Sequence, residues 1–369
     1  MRHDGGSTIQ HNAMPAKSPA PAFHSDIHGS LMLPSLTIDS YSLALHEADG
    51  ESFVGDRASR TAFCKLLDGW RRQFKSMQGG DDPLGTASTR ALGKKGLDEL
   101  LERDRDAADT IRVAVEDYAH QLAHVAQTFL KHRKWQGVER IIVGGGFQQS
   151  EVGALAIERS AELLKKDKVR VDLRRLHHHA DEGGLIGWVH IVPANVLRGF
   201  DALLAVDIGG TNVRCGIVRP NRDKSPDLRH AEVVQREKWH HAEDDDATHR
   251  VHVIDGIAEM LEKLAAYAKR KQIRLAPFVG VGCPGKVQKD GTIVAGTQNL
   301  PGDWESPAFH FPTALREKIP TVHGEETRVL LHNDAVVQGL SELPFTTDVK
   351  RWGVLTVGTG LGNASFTNR

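Results

Sequence analysis

Between Leu36 and Leu45 the chain reads LTIDSYSLAL, with apolar and polar residues alternating, which predicts a strand with one buried face. The stretch SRTAFCKLLDGWRRQF changes to three- and four-residue spacing and predicts a helix. Residues 78–96 carry GGDDPLG and further glycines, and a loop is expected there. From about Gly96 to Lys134 the helical spacing returns in DAADTIRVAVEDYAHQLAHVAQTFL, with the acids of LERDRDAAD at its start. Next, VERIIVGGGFQQSEVGALAIERSAELLKK sets Ile141, Ile142 and Val143 before Gly144, Gly145 and Gly146, then a helical pattern and a strand near VRVDL. That is a strand, glycine loop, helix, strand unit. DEGGLIGWVHIVPANVL predicts a helix of small residues that closes this half.

A second half starts at Asp201. Strand ALLAVDIGG turns back into strand VRCGIV, and helix HRVHVIDGIAEMLEKLAAYAKRK follows. Then come strand FVGVGCPG, the loop KVQKDGTIVAGTQNLPGDW, a strand entering a helix in RVLLHNDAVVQGLSEL, and a last strand and turn, GVLTVGTGLG. Strands alternating with helices predict an α/β architecture.

The 369 residues suffice for two domains. With 47 basic and 48 acidic residues, bulk charge offers no hold on nucleic acid or a membrane surface. Cys64, Cys215 and Cys283 lie far apart with no CxxC, which supplies neither a disulfide framework nor a sulfur-rich zinc site and suits a reducing cytoplasm. No apolar run approaches the roughly 20 residues of a membrane helix. Residues 1–30 are rich in Pro, Ser, Ala, Gly and His and are expected to form a mobile tail with solvated histidines.

The chemistry gathers where strands end. Asp207 is an acid at the end of an apolar strand, costly to bury unless it holds a metal, a water or a donor. Gly209 and Gly210 let the backbone bend and approach a ligand, and Thr211 and Asn212 add polar groups. Such a turn presents N–H groups to phosphate oxygens, and the acid can orient a hydrated Mg²⁺; a plain hairpin turn uses the same residues. Gly358, Thr359 and Gly360 repeat the arrangement, and Gly144 to Gly146 leave room for a flat base or ribose, or simply make a tight turn. Asp334 stands between a strand and a helix, where it can accept a hydroxyl proton during phosphoryl transfer. Asn333 beside it can bind a polyol, or either residue can cap the helix. In the polar loop Asn299 is the preferred sugar ligand, and Trp304 either stacks on a sugar or packs in the core. No GxxxxGK[ST] occurs, which argues against a P-loop enzyme. His177 to His179 are read as a solvated loop rather than a metal site.

In combination these segments resemble the ROK family of sugar kinases and repressors, within the actin-like ATPase superfamily. DIGGTN is similar to the family's first phosphate motif, PGKVQKDGTIVAGTQNLPGDW to its sugar loop, HNDA to its catalytic segment, TVGTGLG to its second phosphate motif, RIIVGGGF to its adenosine segment and DEGGLIGWVHI to its closing helix. The likeness runs from about Asp106 onward. It implies a two-domain actin-like (ribonuclease H-like) fold with ATP and Mg²⁺ in the cleft. The implied roles are Asp334 as general base, Asp207 as holder of Mg²⁺ through water, and Gly209, Gly210, Thr211, Asn212, Gly358, Thr359 and Gly360 as phosphate ligands. Gly144, Gly145 and Gly146 would take adenosine, and Asn299 and Asn333 the sugar.

The order departs from the family, in which DIGGTN opens the chain and GGG with the closing helix ends it. Circular permutation accounts for this, with the usual ends joined near VPANVLRGFDA and new ends after GTGLG. The expected parts are a tail (1–30), a segment with the adenosine motif and closing helix (31–200), a segment with the first phosphate turn and sugar loop (201–330), and a return to the first domain with the catalytic Asp and second phosphate turn (331–369). The family's Glu/His and cysteine zinc segment is missing, since the chain ends seven residues after Gly362. ALHEADGESFVGDRASRTAF is the expected replacement, with His46, Glu47 or Glu51 as candidates, and no structural zinc is expected. The expected activity is ATP-dependent phosphorylation of a hexose or amino-hexose in the cytoplasm, without nucleic acid or membrane partners. The alternative is a sugar-sensing protein with little turnover; the polar N-terminus is unlike the repressors' DNA-binding module. The resemblance admits a homodimer, and the oligomeric state is left open.

Overall fold

The computed structural model describes residues 28–77 and 80–369. The architecture is mixed α/β. Strands β1 (Met32–Leu33) and β2 (Leu36–Tyr41) come first, then helices α1 (Arg60–Met77), α2 (Thr89–Arg103) and α3 (Arg105–Lys131). Strand β3 (Arg140–Gly144), helix α4 (Glu151–Lys166), strand β4 (Asp172–Arg175) and helix α5 (Ala180–Ile186) complete the first half. The second half runs β5 (Ala202–Ile208), β6 (Val213–Arg219), β7 (Glu232–Trp239), α6 (Arg250–Arg270), β8 (Leu275–Cys283), α7 (Phe311–Lys318), β9 (Thr321–Val322) and β10 (Glu325–Glu326). Then come β11 (Arg328–Asn333), α8 (Asp334–Leu340), β12 (Arg351–Val357) and β13 (Leu361–Asn368).

Apart from the β9–β10 ribbon, these strands form two sheets. The order is β11-β8-β5-β6-β7 in one and β1-β2-β13-β12-β3-β4 in the other. In the first, β5 is antiparallel to β6 and parallel to β8; β6 is antiparallel to β7, and β8 parallel to β11. In the second, β12 is antiparallel to β13 and parallel to β3; β13 is antiparallel to β2, and β3 parallel to β4. Leaving aside β1 at the edge of the second sheet, the pattern of neighbours and directions is thus the same in both. Chain order differs: β5, β6, β7, β8, β11 occur in succession, whereas their counterparts β12 and β13 end the chain and β2, β3 and β4 begin it.

Alternation along each strand sorts side chains into three cores. Leu203 and Ala205 face a central core shared by both sheets with α5 and α8, while Leu204, Val206 and Ile208 face α6 and α7. Ile141 and Val143 face the core under α1, α3 and α4, and Ile142 faces the central one. Strand β5 is buried along its whole length, as its unbroken apolar run requires. Helix α3 starts where Asp104 accepts from the Ala107 amide, and buries Ala107, Ile111, Tyr118, Leu122 and Phe129 along one stripe.

Several expectations change. Helix α2 begins at Thr89, inside the expected loop of 78–96, because Ser88 caps it; Gly93, at φ 61°, breaks the helix and hides its period. The closing helix is shorter than expected: α5 ends at Ile186 and a 3₁₀ turn (Gly187–His190) follows. Strand β7 was not anticipated; it is a half-buried edge with a polar sequence. Residues after the second glycine turn form β13. β11 runs to Asn333, so the five-stranded sheet crosses the expected boundary at 330. Most of the tail lies outside the described residues, but residues 28–30 are ordered along β11. Gly29 N donates to Leu331 O, and His28 is buried and accepts from Leu331 N at 3.1 Å.

Candidate active site

Apart from Asn299, which lies in the loop between β8 and α7, the predicted site residues lie at the ends of β3, β5, β11 and β12, the usual location of ligands in open α/β sheets. The β5–β6 and β12–β13 hairpins are the equivalent turns of the two sheets. Gly209 N donates to Asn212 O in one, and Gly358 N to Gly360 O in the other, each at 2.9 Å. The turns face each other, with Thr211 Oγ1 and Thr359 Oγ1 hydrogen-bonded at 2.8 Å. A phosphate chain lying between them must break this bond.

Asn299 covers both turns. A Cβ built on Gly210 would stand 2.9 Å from Asn299 Cβ, and one on Gly360 would stand 3.7 Å from its Nδ2. Asn299 is exposed, so its amide is free to meet a ligand from either side. Trp304 is 1% exposed, stacks on Phe311 at 5.4 Å and donates to Pro301 O, so its role is core packing.

Asp207 ends β5 opposite Arg214 and is 8% exposed. Arg214 Nη1 donates to its Oδ2 at 3.1 Å, while Arg214 Nε reaches Asp181 of α5 at 2.5 Å. Lys238 Nζ adds a bond to Asp181 at 3.0 Å. Burial raises the Asp207 carboxyl above its ordinary range, against the pull of Arg214. Gly184 of α5 lies so close that a Cβ there would stand 2.7 Å from Asp207 Cγ.

Asp334 opens α8. Burial, then the charge of Asp207, pushes its carboxyl up to about 7, while hydrogen bonds from the Ala335 amide and Asn333 oppose the shift. A carboxyl poised there suits a general base at neutral pH. Asn333 is 2% exposed and caps α8 through Oδ1 to Val336 N. Its Nδ2 meets Gly285 O at 3.0 Å, and Ser42 Oγ and Asp334 Oδ1 at 3.1 Å. In this structure Asn333 therefore orients Asp334 and has no open donor for a sugar.

Gly144 to Gly146 end β3. Gly145 has φ 81°, and a Cβ on it would strike Val357 O of β12. Gln338 Oε1 accepts from Gly145 N at 2.9 Å. Gln338 was missed by sequence reasoning, although it stands one helical turn after Asp334 and shares its face. Also missed were His241, whose Nε2 bonds Gly209 O at 2.8 Å, and Arg60 and Thr61, which bond Gly358 O and Thr359 O at 2.9 and 3.3 Å.

The expected replacement segment, 44–63, reaches this end of the sheets through Arg60 and Thr61, and just before it Leu43 N donates to Asn363 Oδ1 and Ser42 Oγ to Gly285 O. Within it, Glu47 pairs with Arg57 at 2.5 Å, the His46 ring lies 4.6 Å from that of Phe53, and Glu51 is exposed. His177 stacks on Phe345 at 4.0 Å, His179 caps α5 and His178 is half-buried. Among the described residues no three His, Cys, Asp or Glu gather as metal ligands.

A magnesium ion bound mostly through water and phosphate needs no such cluster. The residues fit one: Asp207 and Asp334 repel each other, and Asn212 Oδ1 on the same turn as Asp207 is buried with no hydrogen-bond partner.

No protein-family model matches the chain, and no curated protein matches it. Among solved structures it is similar to a Cytophaga hutchinsonii protein assigned as a sugar kinase, with 23% identity over 45% of this chain and 48% of that one, at a TM-score of 0.33. A Listeria monocytogenes protein assigned as an N-acetylmannosamine kinase shares 22% identity over 45% and 47%, at 0.31. The Aquifex aeolicus PPX-GPPA enzyme shares 10% over 65% and 83%, at 0.29. The chain spans about half the length of the two kinase structures it matches. No helix among the described residues is long and apolar enough to cross a membrane.

Proposed function

We propose that this protein is an ATP-dependent kinase acting on a hydroxyl of a hexose or amino-hexose, built on a circularly permuted actin-like fold of the ROK type. The observation that carries the reading is the convergence of Asp334 with two facing glycine hairpins at equivalent places in two like-patterned sheets. The permutation is supported by the same sheets, since the break in chain order falls between β13 and its neighbour β2. In this reading β5 to β11 form one domain, and the remaining strands, drawn from both ends of the chain, form the other.

The sugar hydroxyl gives its proton to Asp334 as its oxygen attacks the terminal phosphorus, and ADP leaves with the pair of electrons from the broken bond. Asp207 would hold Mg²⁺ through water, and the ion supplies charge neutralisation for the transferring phosphoryl group. The amides of Gly210 and Gly360, with Thr211, Asn212 and Thr359, hold the phosphates, while those of Gly209 and Gly358 close the two turns; Gly144 to Gly146 hold adenosine. Asn299 orients the sugar, and Asn333 positions the base.

The test is a coupled assay of ADP release with Mg-ATP and glucose, mannose, fructose, N-acetylglucosamine, N-acetylmannosamine or allose. One of them is expected to raise turnover well above background ATPase. No stimulation from a folded protein that binds ATP would favour the second reading, a sugar sensor. That reading draws on the engagement of Glu47 and His46 with Arg57 and Phe53, which leaves the expected sugar-binding replacement occupied.

A further inference from the structure

We propose that Lys94 and Arg60 grip the phosphates of the nucleotide, Lys94 at the end next to the nucleoside and Arg60 at the end next to the second glycine hairpin. This rests on the reading of the site as a nucleoside-triphosphate cleft. Neither residue belongs to a glycine motif; both come from the helical segment between β2 and β3.

Their placement is specific. Lys94 Nζ donates to Gly146 O at 3.1 Å, on the adenosine turn. The main chain of Arg60 donates to Gly358 O at 2.9 Å, on the phosphate turn. The Lys94 ammonium thus sits at one turn while α1 starts at the other, and the Arg60 guanidinium, which reaches Cys64, lies close enough to Lys94 for their charges to interact. Both line a narrow cleft over the core side chains Phe63, Leu97, Phe147 and Val152, all of them buried. The backbone goes out of its way to put Lys94 there. Gly93 breaks α2 at φ 61° with nothing near its missing Cβ, so no packing demands the break. Lys94 then opens the second piece of the helix, where the macrodipole disfavours a cation.

The charges point to an anion. Among the described residues neither Lys94 nor Arg60 has a carboxylate partner within ion-pair distance, whereas Arg214 and Lys238 close by share Asp181. Lys94 is exposed overall, yet its ammonium is held below the ordinary lysine range, first by loss of water and then by Lys238, Arg60 and Arg214, with Asp181 opposing. Cations that crowd one another in this way are stabilised by a polyanion between them.

The experiment is titration calorimetry of the full chain with adenosine, AMP, ADP, ATP and inorganic tripolyphosphate. Lys94→Met is expected to weaken AMP, ADP and ATP by about tenfold or more and adenosine by less than twofold. Arg60→Gln should weaken ADP and ATP but spare AMP, and Lys94→Arg should keep most of the affinity. Tripolyphosphate should bind at least tenfold more weakly than ATP, because it has no nucleoside to meet the Gly144–Gly146 turn; equal binding would overturn the nucleotide assignment. If wild type binds ATP and Lys94→Met matches it, or loses adenosine equally, the grip is wrong while the cleft stands. If wild type binds no nucleotide, both fall. Should Lys94→Met fail to fold, the wild-type salt response decides: ATP affinity must fall with salt more steeply than adenosine affinity.

Discussion

At the scale of the residue, the proposed chemistry concentrates on Asp334. It is an acid at the head of a helix, a position that either capping or catalysis explains, and the structure divides the two roles between neighbours. Asn333 takes the cap, accepting from Val336 N, and the Asp334 carboxyl accepts from the Ala335 amide and its own. Its carboxyl must lose a proton to act as base, and burial with the nearby charge of Asp207 delays that loss to about pH 7. Turnover is therefore expected to rise with pH through about 7, a limb visible in the pH profile of kcat/KM. Asp334→Asn should lower kcat by about 10²–10⁴-fold while sugar binding persists in calorimetry; turnover that survived would remove Asp334 from the role of base. The acid was legible in the sequence because it interrupts an apolar strand–helix junction. Its division of labour with Asn333 was not, because capping depends on side-chain torsions that spacing does not report.

At the scale of the element, α8 links the parts of the site. Asp334 is at its start, Gln338 bonds Gly145 one turn later, and Glu342 just past its end accepts from His177 N at 2.9 Å. That last bond fixes the turn leading into α5, whose Gly184 backs Asp207. Glu342 is 2% exposed, and burial pushes its carboxyl up to about 7 from 4.5. Between those values the folded chain binds the proton and the unfolded chain does not, so this group's contribution is complete below pH 4.5 and is lost as pH rises through about 7. Glu342→Gln cannot ionise. From pH 5 to pH 8 it is expected to lose less stability than wild type, by up to about 3 kcal/mol, in urea unfolding followed by circular dichroism. Equal losses would mean that Glu342 is ionised in the fold throughout. The helix itself was readable from VVQGL after an acid; that one helix carries the proposed base and touches the Gly144–Gly146 turn and the approach to α5 was not, because these lie in distant parts of the chain.

At the scale of the molecule, the two sheets raise the question of where the chain begins. Arg369 N donates to Ser35 O at 2.9 Å and Asn368 pairs with Leu36, so the end of β13 lies beside the start of β2. A chain opened in the turn at 195–199, with Arg369 joined to residue 28 by a flexible linker, is expected to fold to the same structure and to melt within a few degrees of wild type. Loss of cooperative unfolding in that rearranged chain would show that the present order of elements is needed for the fold.

By itself the sequence determined the mixed α/β character, the buried strands and the glycine turns at their ends, because period, apolar runs and the conformational needs of glycine are local properties. It also determined that an acid stands at the end of β5 and another at the head of α8. Only the tertiary structure decided which of these meet. It set Thr211 against Thr359, laid Asn299 over Gly210 and Gly360, used up Asn333, moved Trp304 into the core and brought Lys94 and Arg60 to the glycine turns. Those outcomes depend on how two sheets pack across a shared layer of helices, and no spacing within one segment encodes the distance to another.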